Sequence, residues 1–368
     1  MDFAFPFGFP TPTAFYLTLH VATLFLHQAF MHYVLAGSLY LAWTFLFPGT
    51  DSVPSSEQPI AVTLRDWMPP FLGAAITAGV APLLFIQILY QREFYTSNLL
   101  LFWRWMIVIP SLIVAFYLLY VMKSAPLMKW PYHLRVAVAL LTSACFVLVG
   151  FCWTTNHLIG NHEANWPEIY ATGVLPLTVG EVLPRMFIWI GGSFATMAVI
   201  VAMQILYSSG GGPGACVRGE GKPLAIMALS GEAVAVVAAV VYYMQLSPTL
   251  QNVMFSPVAY PYAVLVLGGL LTEGLGWMSA LRFGALCHYR LTVVMVGVGL
   301  RLVGAVVLRE VLRLQQLDLE KLYPRHASAA EVGGLSVFIV SAIVTGGLIF
   351  YCIRVASQAG KKEGTEGT

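Results

Sequence analysis

Apolar residues run along this chain in long blocks, divided by short stretches rich in proline, glycine and polar side chains. A helix crossing the hydrocarbon core of a bilayer needs about 20 apolar residues. Blocks at 14–47, 69–91, 99–122, 134–158, 185–207, 223–246, 260–283, 290–314 and 333–356 meet that length. The pattern predicts about nine membrane helices, with eight to ten as the range, because the first block is long and the 247–259 loop is able to dip into the membrane. None of the blocks alternates as a membrane β-barrel strand does. Lipid offers a backbone no hydrogen bonds, so helices are the default. The fold class expected is therefore all-α, a polytopic transmembrane helix bundle. Residues 1–358 form one transmembrane domain and 359–368 a solvated tail. No internal repeat is evident, which weakens an inverted-repeat transporter architecture.

The breaks carry their own signals. Residues 48–66 read as a linker. The 159–184 stretch, with Trp166, Tyr170 and three prolines, suits a re-entry at the outer interface, and 208–214 reads as a flexible connection. Gly297, Gly299 and Gly304 offer close-packing faces on the eighth block.

Composition narrows the class. Of 368 residues, 58% are hydrophobic and only 10% charged, against about a quarter in soluble domains. Nineteen basic and seventeen acidic residues cannot clothe a soluble globule of this size, nor build the basic face of a nucleic-acid binder. The first Lys or Arg is Arg65, so the first block lacks the basic flank of a signal peptide and is expected to stay. With the N-terminus outside, eleven Lys and Arg flank the blocks on the inner side against six outside. That bias predicts an N-out, C-in orientation. Arg309, Arg313, Lys321 and Arg325, read as one outer loop, run against it. The five cysteines form no C-x-x-C or C-x-x-C-H. Covalent c-type haem, a cysteine-ligated iron–sulfur cluster and a disulfide framework are therefore not expected.

The candidate chemistry lies in polar residues inside apolar blocks, which are expensive there and are by default functional hypotheses. The first block holds His20, His27 and His32. His20 and His27 share a face, about 10 Å apart along the axis, while His32 falls on another. His157 ends the fourth block on the same side as His20. A b-type haem ligated by His20 and His157 is one reading of this pattern. Histidines that hydrogen-bond neighbouring helices are the plainer one. In the second block, Pro82 should kink the helix, and Gln87, Tyr90 and Gln91 fall on adjoining faces suited to a quinone carbonyl. An interfacial aromatic anchor is the alternative. Arg104, Glu232, Glu273 and Arg301 are charges within blocks. Arg301 is expected to pair with Glu273 or Glu232, and Arg301 or Arg104 could hold a haem propionate. Asn161-His162-Glu163 with Glu168 fits no standard metal spacing. Phosphate loops, dinucleotide fingerprints and hydrolase motifs are absent from the sequence.

The histidine-bearing first block, followed by APLLFIQILYQREFYTSN and then by Leu183-Pro184-Arg185 opening a helix, resembles bacterial polytopic membrane proteins associated with c-type cytochromes in respiratory electron transfer. The likeness lies mainly in residues 14–120. Where it places an aromatic–histidine pair after Arg185, this chain reads Met186-Phe187. The resemblance implies an inner-membrane, quinol-side subunit that binds quinone, haem b or both and passes electrons to a periplasmic c-type cytochrome. Two alternatives stand beside it. Glu232, Glu273 and Arg301 suggest a transporter or channel, and a bundle whose polar groups only lock helices together would be a cofactor-free anchor subunit.

Overall fold

The computed structural model describes residues 3–49, 54–175, 179–208 and 215–332, with scattered positions from 336 to 351. In chain order the helices are α1 (Thr11–Leu46), α2 (Pro59–Leu89), α3 (Gln91–Leu101), α4 (Trp103–Met106), α5 (Val108–Lys123), α6 (Tyr132–Asn161) and α7 (Trp166–Thr172). Then come α8 (Val179–Ser208), α9 (Gly221–Gln245), α10 (Pro248–Val253), α11 (Tyr260–Phe283), α12 (His288–Leu314) and α13 (Leu319–Glu331). Among the described residues, eight helices are long and apolar enough to cross a membrane, α4 and α5 together supplying one of them. The chain is an all-α, multi-pass membrane bundle. The ninth expected block, 333–356, falls mostly outside the described residues, and the 359–368 tail wholly so.

Several boundaries differ from the sequence pattern. Helix α2 starts at Pro59, inside the expected 48–66 linker, because proline is well placed in a first helical turn. The block at 99–122 is interrupted at Phe102, a non-glycine residue with φ +49°, where the chain turns from α3 into α4. The expected re-entry at 159–184 is the end of α6, the short α7 and the start of α8. The 247–259 loop carries only the six-residue α10.

Helix α1 is 36 residues long, about 54 Å at 1.5 Å per residue. It exceeds the hydrocarbon thickness and must tilt or project. With α8 and α12 it is among the most buried of the spanning helices, and it contacts α2, α6, α8, α12 and α13. The closest approaches are built on glycine. A Cβ added to Gly269 of α11 would lie 2.7 Å from the Gly297 carbonyl of α12, and one on Gly297 would lie 2.5 Å from the Glu273 nitrogen. Lipid gives helices no hydrophobic reason to associate, so such close backbone packing holds them together. Gly304 meets α11 likewise, whereas a Cβ on Gly299 would meet nothing within 4 Å.

A two-stranded antiparallel sheet joins β1 (Cys216–Arg218) to β2 (Ala285–Cys287) at the end of the bundle away from Thr11. Cys216 and Cys287 face each other in it and form a disulfide across 71 residues of sequence. This corrects the expectation of no disulfide. Motif spacing reveals pairs that are close along the chain, and this one is made by tertiary pairing.

Candidate functional site

Helix α12 carries Arg309-Glu310-Val311-Leu312-Arg313 inside its apolar length. Glu310 is fully buried and Arg313 nearly so. At i and i+3 the two share a face, and that face meets α1 and the end of α2. The fully buried His20 ring brings its Nε2 to 3.6 Å from Glu310 Oε2, a charge-pair distance too long for a hydrogen bond. Tyr90 donates its hydroxyl proton to Glu310 Oε1. The Arg313 guanidinium lies over the Tyr90 ring, 3.7 Å from its centroid. Tyr90 reaches this position because α2 ends at Leu89, so the side chain turns into the bundle.

From α6 and α8, His157 and Arg185 close the cluster. Arg185 Nη1 donates to His157 Nδ1 at 2.8 Å, and Arg185 Nη2 donates to the Tyr242 hydroxyl of α9 at 2.5 Å. The charges of Arg309, Arg313 and Arg185, and the His20 ring, all act on His157. Arg309 also lies 5.9 Å from the Trp189 ring centroid. The cluster thus sets three guanidiniums against the single carboxylate of Glu310 among the described residues. Both His20 nitrogens, His157 Nε2, Glu310 Oε2, Arg309 Nη1 and Arg313 Nε are buried with no hydrogen-bond partner among those residues. Buried polar atoms are almost always paired, with protein groups or with ordered water, so these atoms are left to water or to a ligand.

The protonation pattern follows from the partners. A guanidinium only donates, so His157 Nδ1 must accept, and its neutral ring then carries the proton on Nε2. That nitrogen is an unused buried donor. Glu310 Oε2, beside His20, is an unused acceptor. A haem iron on His157 Nε2 would need the lone pair there instead, with the proton moved to Nδ1 against the Arg185 donor. The donor set therefore does not fit bis-histidine haem ligation as it stands.

The remaining sequence candidates fall elsewhere. His27 bonds the Ala75 carbonyl of α2 through Nδ1 at 2.9 Å, and its ring packs on Gly79, where a Cβ would lie 2.9 Å away. His20 and His27 share a face of α1 yet serve different neighbours. His32 is buried against Thr196 Oγ1 at 3.1 Å. Gln87 is half-buried on α2, and Gln91 is exposed at the start of α3, beyond the break at Tyr90. Arg104 is half-buried and stacks on Trp103 at 4.9 Å, at the bundle surface rather than in its interior. Arg301 pairs with Glu273, as the buried charges suggested, and also donates to the Gly192 carbonyl at 3.2 Å. Nine residues before Glu310 on α12, it lies about 13 Å away along the axis and belongs to a second buried group with Glu232. His162 bonds the Leu158 carbonyl at 2.9 Å, and Glu163 pairs with Arg92. Among the described residues no three His, Cys, Asp or Glu side chains group as a metal site.

Glu310 was not singled out by sequence, Arg309 and Arg313 were read as part of an outer loop, and Arg185 was noted only in the Leu183-Pro184-Arg185 run. The available signal was that 309–313 lie inside the apolar block 290–314, so these charges were intramembrane rather than part of a loop.

An apolar groove of about 510 Å³ opens to the lipid between α8 and α9, lined by Pro184, Phe187, Val237 and Val241 among others. Pro184 and Val241 are the sequence neighbours of Arg185 and Tyr242, which do not themselves line the groove. No protein family, curated protein or solved structure matches this chain.

Proposed function

We propose that the chain is the quinol-binding membrane subunit of a respiratory electron-transfer complex, passing electrons to a periplasmic c-type cytochrome partner. The observation that carries this reading is that two buried groups of the cluster, the His157 Nε2 donor and the Glu310 Oε2 acceptor, have no partner among the described residues and sit within an excess of positive charge. A quinol head has two hydroxyls. One accepts a hydrogen bond from His157, and the other donates to Glu310. Oxidation breaks both O–H bonds: the two electrons go one each to ferric haems of the partner cytochrome, and the hydroxyl bonded by His157 gives its proton to water. The O–H bond facing Glu310 breaks as its proton moves to the carboxylate, while Arg309, Arg313 and Arg185 stabilise the negative charge that develops on the quinol oxygen. The α8–α9 groove gives an apolar tail a route from the lipid to this head group.

The orientation proposed is N-out and C-in, in a prokaryotic plasma membrane. Arg313 is buried and Arg309 half-buried within α12, so both drop out of the loop count, leaving Arg92, Arg185, Lys321 and Arg325 at the His20 end. Arg65, Lys123, Lys129, Arg135, Arg218, Lys222, Arg282 and Arg290 stand towards the other, the asymmetry that favours an inner location for the latter. A ninth helix is proposed for 333–356.

Lipid extraction of the purified protein tests the reading. About one quinone per chain is expected, lost in His157→Ala and in Glu310→Gln. A pyridine haemochrome spectrum showing stoichiometric haem b that His20→Ala and His157→Ala abolish would overturn quinol binding at this cluster and replace it with haem ligation.

A further inference from the structure

A cavity of about 340 Å³ lies one helical turn from the cluster, towards the bundle end that carries Asn161. Glu93 and Asn161 line it. They are only 7% and 6% exposed, yet Glu93 Oε2 and both Asn161 amide atoms lack a hydrogen-bond partner among the described residues. Each such orphan costs about 1–3 kcal/mol unless water satisfies it. The volume holds about ten waters at roughly 30 Å³ each.

The register ties this cavity to the cluster. Tyr90 caps α3, and Glu93 follows three residues on. His157 and Asn161 are i and i+4 on α6. Arg313 ends the α12 contribution, and Gln316 lines the cavity three residues later. Three segments therefore each place one residue in the cluster and another, about 5 Å further along, in the cavity. The α3–α6 contact fixes the alignment. Asn156 bonds Asn98 at 2.7 Å, and a Cβ on Gly160 would lie 3.4 Å from the Glu93 carbonyl oxygen.

The charges around Glu93 are largely neutralised by one another. Arg92 pairs with Glu163, and Lys321 with Asp318 at 2.9 Å. His162 is held by the Leu158 carbonyl. Arg325 and His326 of α13, with Tyr90, remain to face it. Glu93 is left as the buried carboxyl group that lines the cavity one helical turn from Tyr90.

We propose that this cavity is a water-filled antechamber and that Glu93 relays protons between it and the Tyr90–Glu310–His20 cluster. The role in turnover rests on the quinol reading, whereas the access of water does not. A proton taken by Glu310 from the quinol hydroxyl leaves its carboxyl oxygen, passes through water to Glu93 and from there to the cavity. The two electrons go one each to ferric c-type haems of the partner.

Two measurements test this on the intact protein with Cys145, Cys152 and Cys352 replaced by Ala. First, Asn161→Cys is exposed to a membrane-impermeant cationic methanethiosulfonate. Modification faster than at the fully buried control Leu17→Cys is expected, and equal rates overturn the antechamber. Second, Glu93→Gln is expected to lower kcat for quinol oxidation about tenfold or more and to flatten its pH profile. KM should stay nearly unchanged, and Glu93→Asp should retain most of the rate. An unchanged kcat and pH profile overturns the relay. Bound quinone with an unmodified thiol rejects the antechamber alone. A modified thiol in a protein without quinone supports the antechamber and rejects the quinol reading.

Discussion

Glu310 Oε2 stands 3.6 Å from His20 Nε2, with both side chains cut off from solvent and lipid. Glu310 is also the acceptor for Tyr90 and the counter-charge for Arg309 and Arg313. Removing one partner from such a buried group is costly because the remaining charges stay behind without compensation. Glu310→Ala should therefore destabilise the bundle by about 3–5 kcal/mol. Thermal unfolding in a fixed detergent checks this, and a loss below 1 kcal/mol would mean the arginines find other counter-ions.

The second buried group behaves differently. Arg301 is held by Glu273 and by the Gly192 carbonyl, while Glu232 Oε1 and Glu273 Oε2 are unpartnered among the described residues. Arg301→Leu leaves two carboxyls together in the bundle. It should cost about 3–5 kcal/mol, and a further Glu273→Met change should recover much of the loss. In proteoliposomes, ion leak is expected to be the same before and after Arg301→Leu. A leak that changes would favour the transporter reading.

Helix α13 is docked through His326. Its Nε2 donates to the Leu89 carbonyl and its Nδ1 accepts from Thr13 Oγ1, both at 2.9 Å. Burial holds the imidazole below its ordinary pKa, opposed by the bond to Leu89. An undocked ring takes up a proton below about pH 6.5, whereas the docked ring resists. Docking is thus at full strength above that value and weakens as pH falls, by at most about 1.4 kcal/mol per pH unit. Hydrogen exchange over 319–331, corrected for intrinsic rates, should accelerate between pH 7.5 and 5. In His326→Ala that pH dependence should vanish.

Glycine packing gives a contrast within one helix. Gly297→Ala forces a Cβ to within 2.5 Å of the Glu273 nitrogen, and Gly299→Ala meets open space. The first should cost about 1–3 kcal/mol and the second less than about 0.5 kcal/mol. Equal effects on unfolding would contradict the α11–α12 contact.

Cys216 and Cys287 lie at the end that the proposed orientation places inside. A reducing cytoplasm keeps thiols reduced. Alkylation of intact cells followed by mass spectrometry should therefore find the pair mainly as thiols, closing to the disulfide on isolation in air. A pair already oxidised in growing cells would reverse the orientation.

His20, His157 and Tyr90 were each visible in the sequence as polar residues in oil, but as three separate features. Glu310, which links His20 to Tyr90, was hidden by the two arginines beside it, which made 309–325 look like a basic loop. His27 looked equivalent to His20 because seven residues return a helix to the same face. The structure separates them, since α1 is long enough to meet α12 at one level and α2 at another.

The amino-acid sequence by itself determined that this chain is a multi-pass helical membrane protein. Apolar runs of bilayer length have no other way to satisfy their backbone in lipid, and charges among them must turn inward. Only the tertiary structure decided which of those charges meet. Helical periodicity assigns a residue to a face of its own helix, whereas its partner is set by how separate helices pack. Tyr90 and Glu310, 220 residues apart, become neighbours only because α2 stops at Leu89 and α12 continues through Arg313.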